Sequence, residues 1–545
     1  MSLFALLAAP ALAAVATAFS AGSSGSDAGP QAVATRRFSL FLATAVAVLV
    51  TWGLWPALVG SSVPEAALAW FRVPGGDAVV RLAFSADGLN AWLAMLVVWL
   101  TPVALLGAGA SVKERMRDFA VCVLAMEALM LGALLASDLV VFYLCFEGML
   151  IPMVLITWMF GGADRRGAAL SFVLYTMAGS LPLLLAIWWI ARATGTLEIA
   201  LLPAAIGKLG AQEQALLFFA FVLAFAVKVP LPPLHGWQAR MYAETPGAGV
   251  VLLAGAMAKL GVYGLIRFVL PFFPALSADY ATLFIILGLI ATVGGALVAL
   301  SQDDAKKLLA FSSLSHLGLA VIGVFTFQPA ALTGVVVLLV AHGLSVAALF
   351  LLAGYLESRT GNTGVDDFGG LANRTPILAI LFVVAALASA AMPGTLNFIG
   401  EFQILAGAWK TCPWIAVVAG VPVILGAAYM LILVQRWFYG RQPKGLAADA
   451  RLVDASPAEA LAVAPLLIAS LVLGFWPAPV ASSAGPVATT CAAEAYRAKH
   501  STSPAPAPGT PIPVRPPAVV LPADSPAQAP ASAASAPSPC CPTVR

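Results

Sequence analysis

Runs of about twenty apolar residues recur along nearly the whole chain, and a run of that length spans a bilayer as a helix. About fourteen can be traced by that criterion, over residues 2–20, 38–59, 85–110, 118–136, 138–161, 167–192, 214–236, 247–273, 280–301, 305–327, 329–357, 375–411, 414–438 and 459–482. Of 545 residues, 61% are hydrophobic and only 10% are charged, against about 25% charged in soluble domains. The reading is an all-α polytopic membrane protein. The first run lacks a positively charged start, so it reads as an uncleaved helix rather than a signal peptide. A net charge of +3 gives a nucleic-acid partner no support. The six cysteines and four histidines form no CxxC and no cluster at ligand spacing, and there is no GxGxxG and no P-loop. No metal, cofactor or redox centre is therefore expected on this chain.

Lysine and arginine gather in alternate connections, which the positive-inside rule assigns to the cytoplasm. The odd-numbered connections hold Arg36 and Arg37, Lys113 to Arg117, Arg165 and Arg166, Arg240, Lys306 and Lys307, Arg359 and Arg374, and Arg436 to Arg451. The even ones hold only Arg72, Arg81, Arg192, Lys208, Arg267 and Lys410. An even number of spans then leaves both termini on the outer side. The chain divides into N-terminal helices (1–117), two internal units (118–273 and 279–440), a connection with a last span (441–490), and a Pro/Ala-rich tail (491–545) expected to be disordered. Cys540 and Cys541 fall in that tail.

Ionisable residues inside the apolar runs carry the functional information. A lysine at the bilayer centre costs about 2.5–3.5 kcal/mol on insertion scales, so each one needs a reason. Glu147 lies near mid-depth in VFYLCFEGMLIPMVL. Lys228 ends an apolar run and is followed by Pro230, Pro232 and Pro233, then His235, in KVPLPPLHGW. Those prolines break the helix, and a broken helix at membrane depth marks an ion site in transporters. Lys259 stands mid-span, too deep to snorkel to the interface. His316 and His342 lie within later spans. A lone buried histidine is usually a satisfied core residue, but in line with a lysine and a glutamate these two fit a proton chain. Glu401 follows a second break at Pro393 and Gly394. Glu127 is a weaker candidate, and Asp138 reads as interfacial.

The two breaks recur with similar spacing. Glu147 to Lys228 is 81 positions, and His316 to Glu401 is 85. Five helices per unit would place each ionisable residue opposite its counterpart. An odd repeat length inverts the second unit in the membrane, so two inverted five-helix repeats, each with a broken helix, are expected.

The motifs DLVVFYLCFEGMLIPM, KVPLPPLHGW, AETPGAGVVLLAGAMAKLGVYGLIRF, DDAKKLLAFSSLSHLG, AHGLSVAALFLLAGYL and PGTLNFIGEF stand in order over residues 118–440. Together they resemble the antiporter-like membrane subunits of proton-pumping NADH:quinone oxidoreductase, respiratory complex I. These in turn are similar to subunits of multisubunit cation/proton antiporters. HGLSVAALFLL and NFIGEF, with a glutamate at position 401 where other branches carry lysine, look M-type. The resemblance implies a non-redox subunit of a proton-translocating enzyme in a bacterial inner membrane, beside L-, N- and K-type membrane neighbours. It implies a proton relay through Glu147, Lys228, Lys259, His316, His342 and Glu401, coupled to quinone reduction in other subunits. The run Gln238–Tyr242 departs from the family, which usually has a Leu-Pro-Asp-Ala-His-like run there. The rival readings are a Na⁺/H⁺ antiporter or membrane-bound hydrogenase subunit, and a structural membrane scaffold with an inactive channel.

Overall fold

In the computed structural model, residues 2–20, 30–61, 63–74, 76–441 and 452–500 are described. Among them, twelve helices are long and apolar enough to cross a membrane. The elements run α1 Leu3–Phe19, α2 Pro30–Leu58, β1 Val63–Arg72, β2 Val79–Ala86, α3 Gly88–Ser111 and α4 Met116–Leu135. Next come α5 Leu139–Phe160, α6 Arg165–Thr194, α7 Ala211–Lys228, α8 Gln238–Glu244 and α9 Gly247–Phe272. Then follow α10 Ala281–Leu300, α11 Ala305–Phe325, α12 Pro329–Thr360, α13 Pro376–Ser389 and α14 Leu396–Thr411. The last are α15 Pro413–Tyr439, α16 Pro457–Phe475 and α17 Ala478–His500.

Short polar side chains start several of these helices by accepting the backbone N–H groups that a first turn leaves unpaired. Asp87 takes the amides of Leu89 and Asn90 at 3.0 and 3.1 Å, and Asn90 returns a bond to the Asp87 amide. Asp138 accepts from Val140, and Asp304 from Lys307. Ser456 and Glu459 form a capping box before α16.

Helices α9, α11 and α12 are buried on nearly all sides and form the centre. The outer helices turn apolar side chains outward. On α6 these include Leu170, Leu174, Leu181, Leu185 and Trp188, the pattern of a surface solvated by lipid. Glycine lets α12 and α14 touch backbone to backbone. A Cβ at Gly400 would strike the Leu338 backbone, and one at Gly407 the Ala331 backbone. This approach sets the depth of Glu401, one residue along. Gly400→Val is expected to push α14 off α12 and to cost about 1–3 kcal/mol of stability by overpacking. A thermal midpoint in detergent equal to wild type would contradict it.

Three expectations are corrected. The chain is not purely helical: β1 and β2 pair as an antiparallel hairpin from Val63↔Ala86 to Arg72↔Val79. Its alternating burial along β2 has the two-residue period of a strand. The span expected over 214–236 ends as helix at Lys228, because the prolines that follow cannot donate the next bonds. The boundary at 491 falls inside α17, which runs to His500 and packs on α3 and α12. That helix is only moderately apolar, since one face alone is buried. Cys540, Cys541 and the rest of the tail lie outside the described residues.

Candidate functional site: an ionisable axis through two helix breaks

At the first break, α7 stops beside Lys228 and the chain turns through residues 229–237 before α8. The break strands the Val227 carbonyl, and the Trp237 indole donates to it at 3.1 Å. Lys228 is buried, with its Nζ 4.6 Å above the centre of the Phe146 ring. A ring face attracts a cation. Glu147 lies on α5 next to that ring. It interacts with Lys228 through space and with the Ser180 hydroxyl of α6. Lys228 has no hydrogen-bond partner among the described residues. The two side chains therefore do not form a closed ion pair, and the lysine rests on the Phe146 ring face.

Lys259 is fully buried in α9. Its Nζ donates to the Ala254 carbonyl, inside a π-helical turn over Leu253–Met257. A second π-helical turn follows at Leu265–Val269. Such turns are rare and concentrate at functional positions. Close packing of Gly261 against Val229 brings α9 to the end of α7, so Lys259 sits between the first break and the central histidines. The π-helical turn beside it packs against α12, which carries His342.

The second break carries the densest cluster. His316 of α11 and His342 of α12 stack with ring centroids 4.7 Å apart and planes 19° apart. His316 Nδ1 is 2.7 Å from the Ser312 carbonyl, and Nε2 is 3.2 Å from the Ser389 carbonyl that the break frees. Carbonyls only accept, so this geometry is satisfied in full only when both ring nitrogens carry protons. Nε2 also lies 3.2 Å from Glu401 Oε1. His342 Nε2 is 2.9 Å from the Ser313 hydroxyl, and its Nδ1 has no partner among the described residues. Two stacked imidazoliums would repel, so the stack suits one positive charge at a time, and the two carbonyls favour holding it on His316. A cavity of about 20 Å³, room for about one water, adjoins His316, Glu401 and Tyr429. Tyr429 donates to Ser312 at 2.9 Å, which holds the rim of the cluster in place.

The six candidates thus fall into two groups with Lys259 between them. Glu147 and Lys228 form one; His316, His342 and Glu401 form the other. His235 stays at the first break, partly exposed and joined to neither group, while Pro230 and Pro393 act through the breaks alone. Glu127 is fully buried on α4 and apart from the axis, with neither oxygen hydrogen-bonded among the described residues. The atypical run over 238–242 folds as α8. Its Arg240 pairs with Asp164 at 2.5 Å, and its buried Tyr242 faces Ser313, the partner of His342. Residues not foreseen are Phe146, Ser180, Ser312, Ser313, Ser389, Tyr242 and Tyr429. Small hydroxyls inside apolar runs carry almost no insertion cost and so leave no mark in the sequence.

Residues 136–426 match the family model described as NADH:quinone oxidoreductase/Mrp antiporter, TM. The chain belongs to that family. Among its relatives, NADH-quinone oxidoreductase subunit M of Rickettsia felis is 36% identical over 394 residues, covering 72% of this chain and 80% of the relative. Subunit M of Rhodobacter capsulatus is also 36% identical, over 491 residues, covering 87% and 93%. Among solved structures, a chain of respiratory complex I from Thermus thermophilus superposes with a TM-score of 0.79 at 32% identity, covering 90% of this chain and 99% of that one. A chain of the Mrp complex from Dietzia has the same fold, with a TM-score of 0.73 at 24% identity, covering 92% and 98%. This family member is therefore an antiporter-like, multi-pass membrane subunit of the complex I type. Both helix breaks and all six axis residues lie within the matched region.

Proposed function

We infer that this chain is an M-type proton-translocating subunit of a bacterial NADH:quinone oxidoreductase. It carries no electrons. It moves protons in response to quinone reduction in other subunits, and it sits in the inner membrane beside L-, N- and K-type neighbours with both termini on the outer face. Residues 118–273 and 279–440 act as two inverted units, each opening at its helix break. Separation of Glu147 from Lys228 is the switch: losing its counter-charge, the lysinium gives up a proton towards Lys259. The proton passes to the His342–His316 stack and then to Glu401.

The observation that carries this reading is the contact chain Ser313–His342–His316–Glu401 at the second break. Its members follow one another at 2.9 Å, at 4.7 Å between ring centroids and at 3.2 Å, and all are buried in the protein interior. A scaffold without transport would have no use for so many costly groups. His316→Ala is expected to keep the complex assembled while proton translocation falls by about 10²-fold, the lower range for a lost acid–base group. Wild-type translocation in that variant, measured as acidification of proteoliposomes, would remove the stack from the path. Mild-detergent purification tests the setting. NADH-oxidising and iron–sulfur subunits should co-purify, whereas a small cation-antiporter assembly would replace this reading with the antiporter one.

A further inference from the structure

The outward half of α9 carries a feature the relay does not use. Lys259, Tyr263 and Arg267 recur every fourth residue, so they share one face, and Arg267 lies roughly 12 Å along the helix from Lys259 at 1.5 Å per residue. Tyr263 is fully buried, and its hydroxyl donates to the Leu134 carbonyl at 2.9 Å. Arg267 pairs with Asp87 at 2.6 Å, and both side chains keep about a fifth of their surface open. Asp87 is the residue that caps α3, so one carboxylate fixes a helix start and holds the guanidinium.

Beyond this pair lies a cavity of about 420 Å³. It opens on the hairpin side of the molecule between β1, β2, the loop before α7, and α17. Glu65, Ser85, Glu198, Thr490, Cys491 and Arg267 are among its lining residues. Much of its wall is apolar, but it stands open on the hairpin side, and these polar groups give water partners there. Arg267, Pro271 and Phe272 form its wall on α9, and Arg267 is the innermost of them along the helix. Inward of the pair come Tyr263 and then the buried lysine on which the relay depends.

We propose that the Arg267–Asp87 pair is an electrostatic plug that separates a water-filled vestibule on the hairpin side from the Lys259 proton axis. The inference rests on the relay reading above and adds a site to it. A pump whose central lysine met water on the hairpin side directly would short-circuit. A fixed positive charge at the narrow point opposes entry of protons and other cations, as arginines do in water pores. Asp87 keeps the guanidinium in the opening, and Tyr263 fills the space behind it. The Lys259 ammonium is turned the other way, onto Ala254, consistent with a closed outward route.

The test uses the intact complex in proteoliposomes. Passive proton entry is followed with a pH dye after an imposed gradient, without NADH. Arg267→Gln is expected to raise this leak several-fold and to lower the pumped gradient, while NADH oxidation continues uncoupled. Arg267→Lys should stay tight. Adding Lys259→Met to Arg267→Gln should reseal the membrane, because the leak runs through the lysine. A leak from damaged packing would persist in the double variant and would overturn the proposal, as would a tight Arg267→Gln. A second measurement does not depend on those variants. With Cys540→Ser and Cys541→Ser, a charged, membrane-impermeant thiol reagent should modify Cys491 from the hairpin side only. Failure to modify it removes the vestibule. The relay reading fails separately, if Lys259→Ala alone pumps like wild type.

Discussion

Lys259→Ala is expected to leave a correctly inserted subunit and a complex that barely pumps. The lysine is fully buried in α9, and its only hydrogen bond among the described residues is to Ala254 in the preceding turn. Its removal costs the fold little, because alanine is a good helix former and one desolvated cation disappears with it. The function depends on it more heavily. Lys259 is the ionisable group placed between the Glu147–Lys228 pair and the histidine stack. Without it a proton must cross that gap through apolar packing. Translocation should fall by about 10²-fold or more, and coupled quinone reduction should fall with it. Pumping and NADH oxidation in inverted membranes read the two quantities. Normal pumping would take Lys259 out of the path.

The second large effect concerns the first break. Lys228→Ala and Glu147→Ala should each cut coupled turnover by about 10²-fold while assembly is largely kept, and the double variant should lose no more than either single one. The two groups act as one switch, so once either is gone the other has nothing to respond to. The geometry makes the single variants differ in stability. Glu147 is partly exposed and lies near Ser180, so its loss leaves Lys228 a buried cation held only by the Phe146 ring. Lys228→Ala removes that buried charge and leaves a carboxylate that is itself partly open to solvent. Glu147→Ala should therefore be the less stable protein in a detergent thermal ramp. Equal pumping losses that add in the double variant would mean two independent steps rather than a switch.

The sequence made the deep ionisable residues conspicuous for a physical reason. A charge in an apolar run is paid for in every insertion event, so it stands out against its neighbours. Prolines 230 and 393 marked both breaks on the same grounds, as lost donors. What stayed illegible has equally physical causes. β1 and β2 are short and flanked by far more apolar helices, and α17 is amphipathic, so neither rises above the hydropathy of the chain around it. The partners that orient the relay are serines, tyrosines and freed carbonyls. Ser389 takes part only because the break after it exposes its carbonyl to His316, and a backbone group has no letter in the sequence. The seat of Lys228 on the Phe146 ring depends on how α5 and α7 are rotated, which hydrophobic pattern fixes only coarsely. The run over 238–242 departs from the family's usual pattern, and the sequence shows no role for it. In the fold its Tyr242 faces Ser313, beside His342.

The two π-helical turns of α9 separate two properties that usually travel together. This helix is enclosed by protein as far as Arg267, yet two of its turns depart from the α-helical bonding that makes enclosed helices rigid. Amide hydrogen exchange should register the difference: α9 should open more readily than α12, which is as well enclosed but regular throughout. The helix that carries Lys259 would then be a soft spring set in a hard casing. It could flex in place as charge moves along it, while the outer helices that meet lipid stay still.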